Sequence, residues 1–145
     1  MKRDLIIFIV SGDIAQSGQT AEYEIAYNFF TDIQEYLQNK KGLRALFFFV
    51  PGNHDCDFSD EQRNKDDNLR RQRVLSEREI TEDDLAYYIT ALCQKQQGYC
   101  NFLDLFKYDN LEGVRVKKPF GSKLLSQYEI EVEEKTIRLN LLNTA

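Results

Sequence analysis

Two short polar sets end two apolar runs in this chain, and both contain side chains that could do chemistry. Leu5-Ile6-Ile7-Phe8-Ile9-Val10 leads into Ser11-Gly12-Asp13. Ala45-Leu46-Phe47-Phe48-Phe49-Val50 leads into Pro51-Gly52-Asn53-His54-Asp55, and His54 is the single histidine of the chain. A glycine before Asp13 and another before Asn53 let the backbone turn sharply and come close to a bound ion. Carboxylate and amide oxygens suit ion binding, and an imidazole suits proton transfer near neutral pH. Taken singly the residues are ordinary. Pro, Gly, Asn and Asp form turns, Asp13 could cap a loop, and a lone histidine usually sits on a surface or satisfied in a core. Those readings explain each residue separately, but not two such sets at the ends of two apolar runs.

The elements that must position them are readable. Residues 5–10 are continuously apolar and rich in β-branched side chains, the pattern of a parallel strand covered on both faces. A loop over 11–19 leads into a helix. Its apolar face is Ile25, Ala26, Phe29, Phe30, Ile33, Tyr36 and Leu37, at three- and four-residue spacing. Thr20 is placed to cap its start, and Glu22 and Glu24 suit the positive end of its dipole. Lys40 and Lys41 suit the negative end, and Gly42 closes it in the left-handed conformation. Residues 45–50 read as a second buried strand. Strand, helix and strand with short links predict a βαβ unit with parallel neighbouring strands. Ligand sites in such sheets form just past the carboxyl ends of the strands, where Asp13 and Asn53 both stand.

Beyond His54 the character changes. Fifteen of the twenty-five residues over 60–84 are charged, which predicts a solvated helix or mobile insertion. Thr81-Glu82-Asp83-Asp84 reads as a helix start, Leu85, Tyr88, Ile89 and Leu92 as its stripe, and Gly98 as its end. Residues 99–112 are mixed, with Tyr99, Phe102, Phe106 and Tyr108 as aromatic anchors. Residues 124–132 and 136–143 alternate about Glu133-Glu134-Lys135 and predict a hairpin.

Composition narrows the class. A length of 145 residues is a one-domain size, and 42% hydrophobic with 30% charged residues fits a soluble globular protein. A net charge of −5 argues against a general electrostatic grip on nucleic acid while leaving room for a local basic patch. Cys56, Cys93 and Cys100 match no zinc-finger spacing. They read as reduced thiols of a cytoplasmic protein. The longest apolar run is too short to span a bilayer, and the start of the chain has no signal-peptide pattern.

A strand ending in Gly12-Asp13 and a second ending in Gly52-Asn53-His54-Asp55 resemble the middle two blocks of the calcineurin-like metallophosphoesterase signature. The hairpin running into Leu141-Leu142-Asn143-Thr144-Ala145 resembles the segment where that family enters its second sheet. The resemblance implies an α/β fold of the layered α/β/α sandwich kind. It implies hydrolysis of a phosphomonoester or phosphodiester at a dinuclear centre of two divalent ions such as Mn, Fe, Zn or Mg. By the same resemblance, Asp13 bridges the two metals and Asn53 ligates the second. His54 lies over the substrate phosphate and assists the leaving group, and Asp55 orients His54. The physics is coherent. Two cations held about 3.5–4 Å apart by a carboxylate depress the pKa of a shared water, and the hydroxide attacks phosphorus in line.

The family's Asp-x-His block belongs on an earlier strand, and its lone histidine and Gly-His-x-His blocks belong beyond the hairpin. None is in this sequence. Of the expected metal ligands, Asp13 and Asn53 are present. The expectation is therefore a partial phosphoesterase domain over 1–145, truncated at both ends and inactive alone. The rest of a larger enzyme or a partner chain would complete its site. The rival expectation is a degenerate family member, a non-catalytic interaction module. The expected partner is a phosphate-ester substrate, with nucleotides and nucleic acid among the candidates, and no membrane. Arg70, Arg71 and Arg73 read as a solvated helix face balanced by Asp66, Asp67, Glu77 and Glu79, or else as phosphate contacts. Lys117 and Lys118 read as surface loop, Tyr87 and Tyr88 as packing residues. Cys56 reads as a packing thiol, with metal contact or oxidation sensing as its alternatives.

Overall fold

The computed structural model describes residues 4–76, 80–108 and 111–145. Two strands, β1 (Leu5–Ser11) and β2 (Arg44–Val50), pair in parallel, from Leu5 opposite Arg44 to Ser11 opposite Val50. The 22-residue helix α1 (Thr20–Lys41) connects them, so the expected βαβ unit is present. The interior of β2 is buried along its length, whereas β1 is half-buried. Gly42 ends α1 at φ 65°, in the left-handed conformation that glycine adopts without steric cost.

Two details of α1 differ from the sequence reading. Gln19, not Thr20, caps the helix, because Glu22 reaches back to the Gln19 backbone N–H (3.1 Å) and to Ser17, leaving Thr20 inside the first turn. The apolar stripe is also only partly inward. Tyr23, Ala26, Tyr27, Phe30, Ile33 and Leu37 join the core, while Ile25, Phe29 and Tyr36 are exposed.

Alternation in β2 divides its side chains between two cores. Phe47 and Phe49 meet α1 and the short helix α4 (Gln97–Leu103), with Phe30, Tyr99 and Phe102 in the same cluster. Leu46 and Phe48 face Val114, Tyr128, Ile130 and Leu141 of an antiparallel meander. Its strands are β3 (Val114–Gly121), β4 (Leu125–Val132) and β5 (Lys135–Leu142), in that order. The β4–β5 hairpin is as expected. Strand β3 is new, and it contains Lys117 and Lys118, which are therefore not loop residues. Pro119 falls where the β3–β4 register shifts, on an edge strand, where a missing N–H costs least. The outer face of the meander carries ion pairs such as Arg138–Glu129 (2.9 Å). The architecture is α/β. Its layers are helices, parallel sheet and antiparallel sheet; a second outer helix layer is not among the described elements.

The charged segment forms α2 (Glu61–Ser76) and the helix α3 (Glu82–Leu92), whose cap is Thr81 as expected. It is not a purely solvated face. Asp67 is fully buried, 3.1 Å from the buried Lys95 ammonium and 2.9 Å from Arg70. An ion pair this buried is costly to break from one side, so it pins α2 against the turn at 93–96. Glu77 and Glu79 lie outside the described residues. Gly98 does not end α3. A 3₁₀ turn over Cys93–Gln96 follows it, and Gly98 lies inside α4. A Cβ there would stand 2.8 Å from the Gly18 carbonyl oxygen and 2.9 Å from the Tyr23 ring, so its glycine serves close approach.

Candidate functional site

Parallel register carries β1 and β2 to the same level, and the chain leaves both strands through glycine. Gly12 has φ 97°, and Asp13 follows at φ 54°. A positive φ at a non-glycine residue is uncommon and costs free energy, and such residues concentrate at functional sites. The two loops touch backbone to backbone. A Cβ on Gly12 would lie 2.9 Å from the Gly52 Cα, and a Cβ on Gly52 would lie 2.5 Å from the Asp13 nitrogen and against its carboxylate. Both glycines are therefore required for this approach.

Past Gly52 the chain makes a single 3₁₀ turn, Asn53–Asp55. Asp13, Asn53 and His54 are all exposed, so three of the four expected residues meet at the carboxyl ends of the strands. Asp13 Oδ1 accepts the His54 backbone N–H at 3.2 Å. The His54 ring is held by its Nδ1, 2.8 Å from the Gln16 carbonyl oxygen. A carbonyl only accepts, so that contact places a proton on Nδ1 and does not engage Nε2.

Asp55 has a different role from the one the resemblance implied. It is fully buried, and its carboxylate does not orient the His54 ring. Oδ1 accepts from the Ala15 N–H (2.9 Å) and the Tyr23 hydroxyl (3.1 Å). Oδ2 accepts from the Gly52 N–H (2.8 Å) and the Ile14 N–H (3.3 Å). Donors from the β1 loop, the β2 loop and α1 thus converge on one carboxylate, which a negative acceptor makes strong. Gln16, not Asp55, orients the histidine, and Asp55 fastens the two loops. Burial, then the Asp55 charge, pushes the Tyr23 phenol far above its ordinary range, so it remains a proton donor. Tyr23 was missed in the sequence. Its signal was a polar-tipped aromatic in the first turn of α1, on the face toward the strands.

The segment after the turn is tied down as well. The Asp57 N–H donates to the Lys95 carbonyl (2.8 Å), and Arg63 lies 3.4 Å from Asp57. Asp57 titrates below the usual carboxylate range: burial opposes this, but hydrogen bonds from Ser59 and Arg63 outweigh it. Cys56 is a buried packing thiol, as expected, 3.6 Å from the Gln96 amide.

The Asp13 carboxylate and the Asn53 amide are oxygen donors of the type that hard divalent cations take. They fit such an ion in kind but fall short in number. Among the described residues no group of three or more His, Cys, Asp or Glu side chains is placed to hold a metal. No described helix is long and apolar enough to cross a membrane.

Neither the curated proteins nor the solved structures compared with the chain gave a match. A family model, calcineurin-like phosphoesterase, matches residues 2–141. That span includes both loops and the turn that carry Asp13, Asn53, His54 and Asp55, so the chain belongs to the calcineurin-like phosphoesterase family.

Proposed function

We propose that the chain forms part of a metal-dependent phosphohydrolase acting on a phosphomonoester or phosphodiester. Asp13 and Asn53 are its share of the ligands for two divalent ions; water and further protein donors supply the rest. The observation that carries this reading is the meeting of Asp13, Asn53 and His54 on two touching, exposed loops past parallel strands. When bound, the ions would supply charge neutralisation and an activated water. The protein's own contribution is positional. Asp55 and Tyr23 hold the loops together, Gln16 fixes the imidazole, and His54 Nε2 is free to hold or move a proton at the substrate oxygen. Three unpaired cysteines agree with a reducing, cytoplasmic setting.

The test is Mn²⁺-dependent hydrolysis of bis-p-nitrophenyl phosphate by the protein expressed from its native gene. His54→Ala is expected to lower turnover by about 10²–10⁴ with bound Mn²⁺ unchanged. Asp13→Asn is expected to lose both metal and activity. Wild-type activity in both variants would remove the assignment. The short set of metal donors favours a second reading, a non-catalytic interaction module. That reading requires the absence of metal-stimulated hydrolysis in the native protein.

A further inference from the structure

Residues 14–18 form an irregular loop between β1 and α1. Among the described residues, none of their backbone groups bonds to another backbone group. Two carboxylates hold the loop instead. Asp55 takes the N–H groups of Ile14 and Ala15. Glu22, in the first turn of α1, takes the N–H groups of Ser17 (2.9 Å) and Gln19 (3.1 Å) and the Ser17 hydroxyl (3.0 Å). The loop is also braced from outside. A Cβ on Gly18 would lie 2.7 Å from the Asp57 nitrogen, and the Gln19 side-chain N–H donates to Asp57 Oδ1 (3.0 Å).

The Ser17 N–H and the Gln16 carbonyl belong to one peptide group. That group is planar and trans, so its N–H and C=O point in opposite directions. Its N–H meets Glu22 Oε2 at 2.9 Å, and its carbonyl oxygen meets His54 Nδ1 at 2.8 Å. Fixing one end aims the other. A carboxylate at the N–H also polarises the group, which makes its carbonyl a stronger acceptor. The Ser17 backbone bond leads in holding Glu22 below its ordinary range, so the carboxylate is negative at neutral pH.

We infer that Glu22 is the positioning residue of His54: through the Gln16–Ser17 peptide group, its carboxylate selects the imidazole tautomer protonated at Nδ1. Nε2 is then the nitrogen able to accept a proton. Asp55, next to His54 in sequence, has no such path, because its oxygens are engaged by Ile14, Ala15, Gly52 and Tyr23. What His54 does to a substrate rests on the phosphoesterase reading; the choice of tautomer does not.

The tautomer is therefore tested without metal or substrate. With a single histidine in the chain, ¹⁵N-labelled protein gives one signal for each ring nitrogen. At about pH 8.5, above the ordinary histidine range, the bare nitrogen resonates far downfield of the protonated one. Wild type is expected to show Nδ1 protonated. Glu22→Ala is expected to shift the population toward the Nε2-protonated form, which free imidazole side chains prefer. Glu22→Asp keeps the charge but shortens the reach, and should shift it the same way even if the alanine variant fails to fold. Glu22→Gln keeps an oxygen within reach of the Ser17 N–H and is expected to restore the wild-type signals. Ala21→Gly, at an exposed position of the same turn, weakens the helix start and should leave the tautomer in place. Wild-type signals in both Glu22→Ala and Glu22→Asp would overturn the inference. An equal shift in Ala21→Gly would also overturn it, leaving Glu22 a helix cap alone. Mn²⁺-dependent hydrolysis is read separately, and Glu22→Ala is expected to lower turnover roughly tenfold or more. A tautomer shift in a protein whose wild type hydrolyses nothing would remove the phosphoesterase reading and leave the role of Glu22 standing. Wild-type hydrolysis with an unmoved tautomer would do the reverse.

Discussion

Asp55 and His54 are neighbours with opposite energetic roles. Asp55 is buried and accepts four hydrogen bonds; His54 is exposed and held by one contact at its ring. Removing the carboxylate leaves several buried donors unpaired, each costing about 1–3 kcal/mol. Asp55→Ala is therefore expected to lower the unfolding free energy by about 3–5 kcal/mol in urea denaturation. His54→Ala should stay within about 0.5 kcal/mol of wild type. Were Asp55 an orienting partner of the imidazole, its loss would instead lower activity at unchanged stability. The positions of all four residues were legible in the sequence, because glycine and polar residues past apolar runs have few other readings. The partner of Asp55 was not. Its acceptors meet backbone N–H groups of Ile14, Ala15 and Gly52, and backbone groups leave no signature in residue type.

At the scale of elements, glycine separates what propensity suggests from what packing requires. Gly98 lies inside α4, where alanine would ordinarily gain about 1 kcal/mol of helix propensity. Because its Cβ would meet the Gly18 carbonyl and the Tyr23 ring, Gly98→Ala is expected to lower the melting temperature rather than raise it. A stabilised Gly98→Ala would show that the α4 approach to the β1 loop is looser than described. Periodicity located β1, α1, β2 and the β4–β5 hairpin well, since each has a long, single-period pattern. It missed β3, whose Val114 and Val116 alternation is brief and interrupted by Pro119. It also read Gly98 as a helix end, because the residues that make glycine necessary there are Gly18 and Tyr23, far away in sequence. The α1 stripe was read too wide. Apolar spacing identifies a face, but which part of the face is covered depends on neighbouring elements.

The whole molecule is expected to lose stability in acid through identifiable carboxylates. A hydrogen bond from the Ser17 backbone N–H leads in holding Glu22 below its ordinary range, and Asp57 is also lowered, although burial opposes it. A carboxyl titrating lower when folded stabilises fully above its unfolded pKa, and that contribution is lost as pH falls through the depressed folded value. Thermal melts should therefore be flat above the usual carboxylate range and fall below it, less steeply in Asp57→Asn. Burial raises the Cys56 and Cys93 thiols, so thiol titration at neutral pH should label Cys100 first and the other two only on unfolding.

The central claim is that a divalent cation binds where the β1 and β2 loops meet. The single histidine makes this directly observable, because its imidazole gives one proton signal per ring position. Paramagnetic Mn²⁺, titrated into the protein, is expected to broaden the His54 Hε1 resonance. In Asp13→Asn the same broadening should require much more Mn²⁺. A His54 signal that stays sharp, or that broadens equally in wild type and Asp13→Asn, would contradict the account.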